Sequence, residues 1–298
     1  MKETLLDIMK KTKIDIYGVC SPKVTIKYTK KVENIINKNN NCSFIKQDFL
    51  NNMSPYYYME DVKSIIVIAL PYHLNDKKMG QNKTMFSSSS WGEDYHKVIL
   101  NKTKEIISKL ELENPNYKFL GLVDNHNLDE RYFASRAGIG FYGKHGMIIN
   151  NKYGSNIFLG LILTNQLLEY NDILEKKCIS CNKCIDKCPG KAISNEGVNY
   201  NKCISFLTQK KDLSADVENN IEDLVYGCDV CSKVCPHNKV NYGITSFKFD
   251  PNVEFDLDNE FIETNKSFKK KYGLYSGSWR GKNIIKRNLF LIKKNRGK

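Results

Sequence analysis

Eight of the ten cysteines in this 298-residue chain fall between Cys178 and Cys235. The first run is Cys178-x2-Cys181-x2-Cys184-x3-Cys188-Pro189. The second is Cys228-x2-Cys231-x3-Cys235-Pro236, with Cys203 standing alone ahead of it. Two-residue gaps let successive thiolates wrap one corner of an iron–sulfur cubane, and the fourth cysteine, followed by proline, turns away to reach the other cluster. The spacing therefore predicts two [4Fe–4S] clusters, with Cys178, Cys181, Cys184 and Cys235 on cluster 1 and Cys188, Cys203, Cys228 and Cys231 on cluster 2. Paired CxxC motifs also build zinc ribbons, but a tetrahedral zinc needs only four thiolates, and the CxxCxxCxxxCP run is rare among zinc sites. Cys20 and Cys42 read as ordinary buried cysteines. Such clusters move single electrons and do not themselves say what is reduced.

The elements that must position this chemistry come from the rest of the chain. No apolar run reaches the ~18 residues that span a bilayer. The N-terminus mixes charges with apolar residues at helical spacing and has no twin-arginine pair, so the expectation is a cytoplasmic protein with no membrane association. In a reducing cytosol clustered cysteines bind metal rather than form disulfides. A net charge of +13, from 46 Lys+Arg against 33 Asp+Glu, favours a polyanionic partner, although a Lys- and Asn-rich proteome produces the same surplus.

Lys63–Leu70 (KSIIVIAL) reads as a buried strand ended by Pro71, and Tyr117–Val123 as another, with Asp124 at its C-terminal end. Ser90-Trp91-Gly92-Glu93 fits a capping box, behind which apolar residues keep helical period to Leu112. A second helix is expected from Asn127, with Glu130 as its capping partner, to Gly138. Ile148–Ile149 and Ile157–Leu163 read as a pair of strands joined through Asn150–Asn156. A basic C-terminal helix is expected over Asn283–Lys293.

The stretch Val123–Ile149, VDNHNLDERYFASRAGIGFYGKHGMII, resembles the epoxyqueuosine reductase family, whose members carry a "VD…LER…A..AG.G..GK…LI" segment upstream of the same eight cysteines. Glu93–Leu100 (EDYHKVIL), the Lys63–Leu70 strand, Cys203–Thr208 (CISFLT), Tyr226–Cys228 (YGC) and Trp279–Asn288 (WRGKNIIKRN) follow in family order. The resemblance implies an α/β (α+β) cobalamin-binding catalytic core over 1–165. A ferredoxin-like domain with two [4Fe–4S] clusters follows over 166–245, and a basic segment over 246–298 packs on the core and contacts tRNA. It implies a cobalamin- and iron–sulfur-dependent reduction of epoxyqueuosine to queuosine at the wobble position of tRNA. A ferredoxin- or flavodoxin-type reductant and a monomeric enzyme complete the expectation.

Removing the epoxide oxygen as water takes two electrons and two protons, so a general acid must protonate the departing oxygen. The resemblance gives Asp124 that role, and burial beside the corrin is expected to tune it. His96 in the DYH helix, Arg131, and Lys144 with His145 after Gly143 are its implied cobalamin contacts, together with Ser205 and Asp229 beside cluster ligands. Arg131 has a plainer alternative, pairing with Glu130. Lys269–Lys271, Trp279, Arg280, Lys282, Lys286 and Arg287 mix cations with one aromatic, as phosphate contacts to a tRNA stem and base stacking require; a solvated helix face is the plainer alternative. The usual Pro of the family's "VD..P.LER" is Asn127 here, and Ser43–Glu60 matches the family poorly. Two rivals use the same cofactors: a reductive dehalogenase-like reductase of a small molecule, and a non-enzymatic electron or cobalamin carrier. Against the first stand the missing twin-arginine signal, the short length and an Asp rather than a Tyr as the presumed acid; a carrier would not need the VD…ER…GK constellation.

Overall fold

Eight consecutive buried residues, Ser64–Pro71 (SIIVIALP), make the strand around which the N-terminal part of this computed structural model is built. The structure describes residues 2–38, 53–72, 82–238, 254–258 and 264–297. Cys42 lies outside them, as does the 43–52 part of the divergent region. The chain divides into two compact units. One contains Met1–Pro71 and His96–Ser180; the other contains Tyr72–Tyr95 and Cys181–Lys298. Thus 246–298 shares a unit with the cysteine segment, and so does the early stretch Tyr72–Tyr95.

In the first unit, α1 (Lys2–Lys11) leads into β1 (Ile16–Cys20), α2 (Ile26–Asn37) and β2 (Ser64–Pro71). Then follow α3 (Tyr95–Glu113), whose first residue belongs to the second unit, β4 (Phe119–Leu122) and α4 (Glu130–Arg136). The short β5 (Phe141–Tyr142) and β6 (Ile148–Ile149) precede the long β7 (Ile157–Thr164). The sheet order is β1-β2-β7-β4 and every neighbour is antiparallel, with Ile66 opposite Ile162 at its centre. Two apolar runs without alternation, in β2 and β7, mark strands covered on both faces.

Helix α3 turns Ile99, Thr103, Ile106 and Leu110 inward, one helical stripe. It sits close to the sheet because glycines make room: a Cβ on Gly160 would stand 2.5 Å from Ile99 Cγ2, and one on Gly121 2.8 Å from Thr103 Oγ1. Burying each aliphatic side chain of that stripe contributes about 1.5–3 kcal/mol.

Two local expectations are corrected. Ser90 does not cap α3; it ends a 3-10 turn, Ser88–Ser90, and its hydroxyl bonds that of Ser276 at 3.0 Å. Strands β6 and β7 do not pair with each other: β6 forms a hairpin with β5, and β7 joins the main sheet. The apolar content of these strands was legible, but pairing depends on partners far along the chain.

The second unit has its own core. Strand β3 (Lys83–Met85) pairs with β10 (Glu254–Asp256), and β8 (Ile193–Ser194) with β9 (Gly197–Val198). Among the described residues six helices complete the unit: α5 (Lys183–Asp186), α6 (Ile204–Leu207), α7 (Ala215–Glu218), α8 (Val230–Lys233), α9 (Asn265–Tyr272) and α10 (Lys282–Arg296). Phe86 is fully buried between Phe255, Tyr226 and Tyr272, and Trp91 Nε1 donates to its carbonyl at 2.7 Å. Ile285, Leu289 and Ile292 of α10 close this core, leaving Lys286 exposed. No helix among the described residues is long and apolar enough to cross a membrane.

Candidate active site

Strand β4 ends at Leu122, and two residues later Asp124 takes a left-handed backbone conformation, φ +50°. Asp is among the few non-glycine residues that tolerate this region. The backbone is held there by Glu130, whose Oε1 accepts from Asp124 N–H at 3.0 Å. The result aims the carboxylate at the first turn of α3, where His96 Nε2 lies 2.8 Å from Asp124 Oδ2. A carboxyl and an imidazole at this distance share a proton, and either can hand it on. Within this unit the Asp124 side chain is 54% exposed and that of His96 29%. His96 therefore stands beside Asp124, a placement the sequence does not anticipate.

Glu130 does not cap the helix. The N-cap of α4 is Asp129, which accepts from the Arg131 and Tyr132 amides, two residues later than the expected Asn127. Asp129 also accepts from the Tyr28 hydroxyl and from Arg131 Nε at 3.3 Å. Burial pushes the Asp129 carboxyl upward, but Arg131, Tyr28 and the amide donors outweigh it and hold it below the ordinary carboxylate value. Freed from capping, Glu130 reaches back to Asp124. Its Oε1 also lies 3.3 Å from Nε2 of His126, a side chain only 2% exposed. His126 Nδ1 accepts from Leu128 N–H at 3.1 Å. Asn127 N–H donates to Tyr58 Oη at 2.8 Å. His126 and Tyr58 were missed in the sequence, because neither carries a pattern beyond loop composition.

Arg131 pairs with Asp129 rather than Glu130, and its Nη1 donates to the Gly146 carbonyl at 3.3 Å. That carbonyl belongs to the tip of the β5–β6 hairpin. The tip closes through Gly146 N–H to Gly143 O at 2.9 Å, with Gly146 at φ +78°. His145 folds back: its Nδ1 accepts from Met147 N–H, and a Cβ on Gly143 would stand 2.6 Å from its Cε1. Glycine at 143 thus leaves room for the His145 ring, which is buried, while Lys144 is half-buried beside it. Arg131 and Lys144 carry only donors, which suits amide and phosphate oxygens such as those of cobalamin.

In the second unit Cys188, Cys203, Cys228 and Cys231 lie close enough to perturb one another. Burial pushes the Cys228 thiol up to about 12, and the neighbouring Cys203 and Cys188 push the same way. Burial likewise raises Cys231, with contributions from Cys228, Cys203, Cys188 and, last, Cys184. Backbone donors are already aimed at these sulfurs: Ala192 N–H reaches Cys188 Sγ at 3.2 Å, the Phe206 and Ser205 amides reach Cys203, and the Val230 amide reaches Cys228. A neutral thiol gains little from such donors, whereas iron-bound thiolates are tuned by them. The donor set fits a [4Fe–4S] cluster. Cys184 and Cys235 are buried and Cys181 is exposed, and Cys178 lies near the end of the first unit. Among the described residues no cluster of His, Cys, Asp or Glu side chains is spaced to hold a single metal ion. Ser205 gives its carbonyl to Thr208 Oγ1, and Asp229 Oδ2 accepts from both the amide and the hydroxyl of Ser88 at 2.8 and 2.7 Å. That oxygen of Asp229 therefore holds the 3-10 turn.

The basic residues fall into two kinds. Arg280 stacks over the Trp279 ring at 3.9 Å, and Trp279 is 56% exposed; Lys282 is half-buried and Lys286 exposed on α10. Arg287 is spent internally, its guanidinium donating to the Lys210 and Lys211 carbonyls at 2.6 and 2.7 Å and to Asn288 Oδ1. Burial pulls it below the ordinary arginine value, against Glu218 and Asp212. As a tRNA phosphate contact it is replaced by a structural role.

An α+β sheet unit with an acid–imidazole pair, joined in sequence to clustered cysteines with sulfur-directed amides, defines a redox protein of the iron–sulfur class. A family model for a 4Fe-4S double cluster binding domain matches residues 177–238, and one for epoxyqueuosine reductase QueG, DUF1730, matches 53–125. An epoxyqueuosine reductase of Lactococcus garvieae is 38% identical over 250 residues, covering 80% of this chain and 70% of the relative. That of Staphylococcus aureus is 32% identical, covering 98% and 79%. The solved structure of the Streptococcus thermophilus enzyme superposes with TM-score 0.90 at 31% identity, covering 99% of this chain and 81% of that one. A structure of an epoxyqueuosine reductase with an epoxyqueuosine-modified tRNA-Tyr stem loop gives TM-score 0.92 at 32% identity, over the same shares. A Bacillus subtilis enzyme with its catalytic aspartate loop swung out of the active site gives 0.91 at 31%, again over 99% and 81%. The chain belongs to the epoxyqueuosine reductase family.

Proposed function

We propose that this protein reduces epoxyqueuosine to queuosine in tRNA, with Asp124 as the proton donor and His96 as its proton partner. The observation that carries the reading is the Asp124 carboxylate held 2.8 Å from His96 on a loop whose backbone Glu130 fixes. The Bacillus subtilis relative, with a catalytic aspartate on a loop that swings out, supports placing the acid on this mobile kind of element. The relative bound to a modified tRNA stem loop supports the substrate.

The residues divide the work by their chemistry. Asp124 protonates the epoxide oxygen as its C–O bond breaks, and His96 returns a proton to Asp124 for the second transfer, so that oxygen leaves as water. Arg131 and Lys144 would hold cobalamin through its amide and phosphate oxygens, and His145 supports the turn beneath them; the Ser205 carbonyl and Asp229 Oδ2 are engaged within their own unit. Cobalamin, when bound in its reduced form, supplies a strong nucleophile for the epoxide carbon. Cys178, Cys181, Cys184 and Cys235 hold one [4Fe–4S] cluster and Cys188, Cys203, Cys228 and Cys231 the other, which supply electrons singly. Trp279, Arg280, Lys282 and Lys286 serve as tRNA contacts. A cytoplasmic, monomeric enzyme drawing on a ferredoxin or flavodoxin fits the cluster chemistry.

The test is nucleoside analysis of tRNA from a deletion strain complemented with wild type or Asp124→Asn. Epoxyqueuosine is expected to accumulate in the deletion and in the variant, and to disappear with wild type. Unchanged queuosine in the deletion refutes the function. Full turnover by Asp124→Asn with cobalamin and both clusters loaded refutes the assignment of the acid.

A further inference from the structure

Asn288 is fully buried on α10, and each of its hydrogen-bonding groups is engaged. Its amide nitrogen donates to Thr208 O and to Val225 O, both at 2.8 Å. Its Oδ1 accepts from Arg287 Nε and Nη2 at 3.1 and 2.9 Å, which fixes the amide's orientation. The two carbonyls belong to different loops. Thr208 terminates the short helix that Cys203 opens, with Thr208 N–H bonded to Ile204 O. Val225 lies three residues before Cys228. Between the loops a further bond runs from Gly227 N–H to Thr208 Oγ1 at 2.9 Å, and that hydroxyl donates in turn to Ser205 O. Gly227 sits at φ +79° with no room for a Cβ, which would fall 2.2 Å from Ser87 Oγ. The Cys228 loop is also anchored on its outer side by Val225 N–H to Met85 O and Ser87 N–H to Tyr226 O.

A buried amide that bridges two carbonyls fixes their separation: losing it strips the Val225 carbonyl of this donor and leaves Thr208 O with only the longer bond from Arg287 Nη2 at 3.5 Å. An apolar residue at 288 could fill the space but could not set the register of the two loops. We propose that Asn288, acting through Thr208, is a positioning residue for cluster 2. It holds the Cys203 loop and the Cys228 loop at cluster-binding separation before iron enters. The inference rests on the assignment of Cys188, Cys203, Cys228 and Cys231 to one cluster. It adds a role for α10 distinct from tRNA contact.

The experiment compares full-length wild type, N288A, T208V and T208S, reconstituted anaerobically with iron and sulfide. The readouts are iron and sulfide per chain, electron paramagnetic resonance after reduction, and midpoint potentials. C231S and C184S identify which signal belongs to which cluster. N288A and T208V are expected to lose, or shift in potential, the signal that C231S loses, while keeping the signal that C184S loses. T208S, which retains the hydroxyl, is expected to restore it. T208V removes one hydroxyl without changing the packed volume and decides the matter if N288A does not fold. Both signals at full strength and unshifted in N288A and T208V overturn the proposal, as does equal loss of both. A wild type that takes up no [4Fe–4S] cluster overturns instead the assignment beneath it.

Discussion

Replacing Glu130 by alanine tests how Asp124, the proposed proton donor, is held without touching Asp124 itself. Asp124 occupies the left-handed region, which costs a non-glycine residue about 1–2 kcal/mol, with Asp at the lower end. The bond from its amide to the Glu130 carboxylate is to a charged acceptor, which contributes about 1.5–3 kcal/mol when shielded. At this half-exposed loop the lower figure applies. Without Glu130 the held conformer therefore loses about 1–1.5 kcal/mol against its alternatives. Since about 1.36 kcal/mol is a factor of ten in rate, kcat/KM for a modified tRNA stem loop is expected to fall roughly 5–15-fold. E130Q keeps a neutral acceptor, about half as strong, and is expected to lose roughly 2–4-fold. The assay is single-turnover conversion of epoxyqueuosine by protein with equal iron and cobalamin content, alongside thermal melting to track the His126 contact. An E130A enzyme within twofold of wild type refutes the reasoning, because Asp124 would then hold its conformation unaided.

Two further outcomes follow from side chains with unequal surroundings. Cys20 lines a cavity of about 550 Å³ with Arg136 and Asp172, yet burial pushes its thiol up to about 12. At pH 8 its thiolate fraction is on the order of 10⁻⁴, so iodoacetamide should leave Cys20 unmodified in native protein and label it as pH approaches 12, read by peptide mass. Charge reversal at Lys286 is expected to weaken tRNA-stem binding and reduce its salt slope by about one. Arg287→Ala is expected to leave that slope unchanged while lowering the melting temperature, because its guanidinium holds Lys210 and Lys211 carbonyls.

The cysteine runs were legible because ligand spacing is local: the cubane and the proline turn act within a few residues. The same holds for β2, whose unbroken apolar run admits no other reading. Helix α4 was misplaced at its start because Asn127, Asp129 and Glu130 all belong to the residue types that cap. Only the Tyr28 hydroxyl and Arg131, one of them a hundred residues away, select Asp129. His96 was found through its motif, but its partner was not, since a strand end and a helix start meet only in three dimensions. Arg287 reads as a surface cation until the Lys210–Lys211 loop is seen to fold under it. In each case the missing information was a long-range partner, which composition and period do not encode.

The assignment of Tyr72–Tyr95 to the second unit sets an order on the protein's assembly during synthesis. Strand β3 emerges from the ribosome early, but its partner β10 is encoded roughly 170 residues later. At translation rates of about 5–20 residues per second, β3 and Phe86 wait on the order of 10–30 s for the residues that cover them. Throughout that interval the sheet of the first unit can close around β2 and β7, both complete by Thr164. The nascent chain therefore carries a finished scaffold and, at the same time, one unpaired strand with Met85 and Phe86 uncovered. That strand is the place where a holdase chaperone has most to protect, and where slowed translation past residue 180 carries the greatest risk of aggregation.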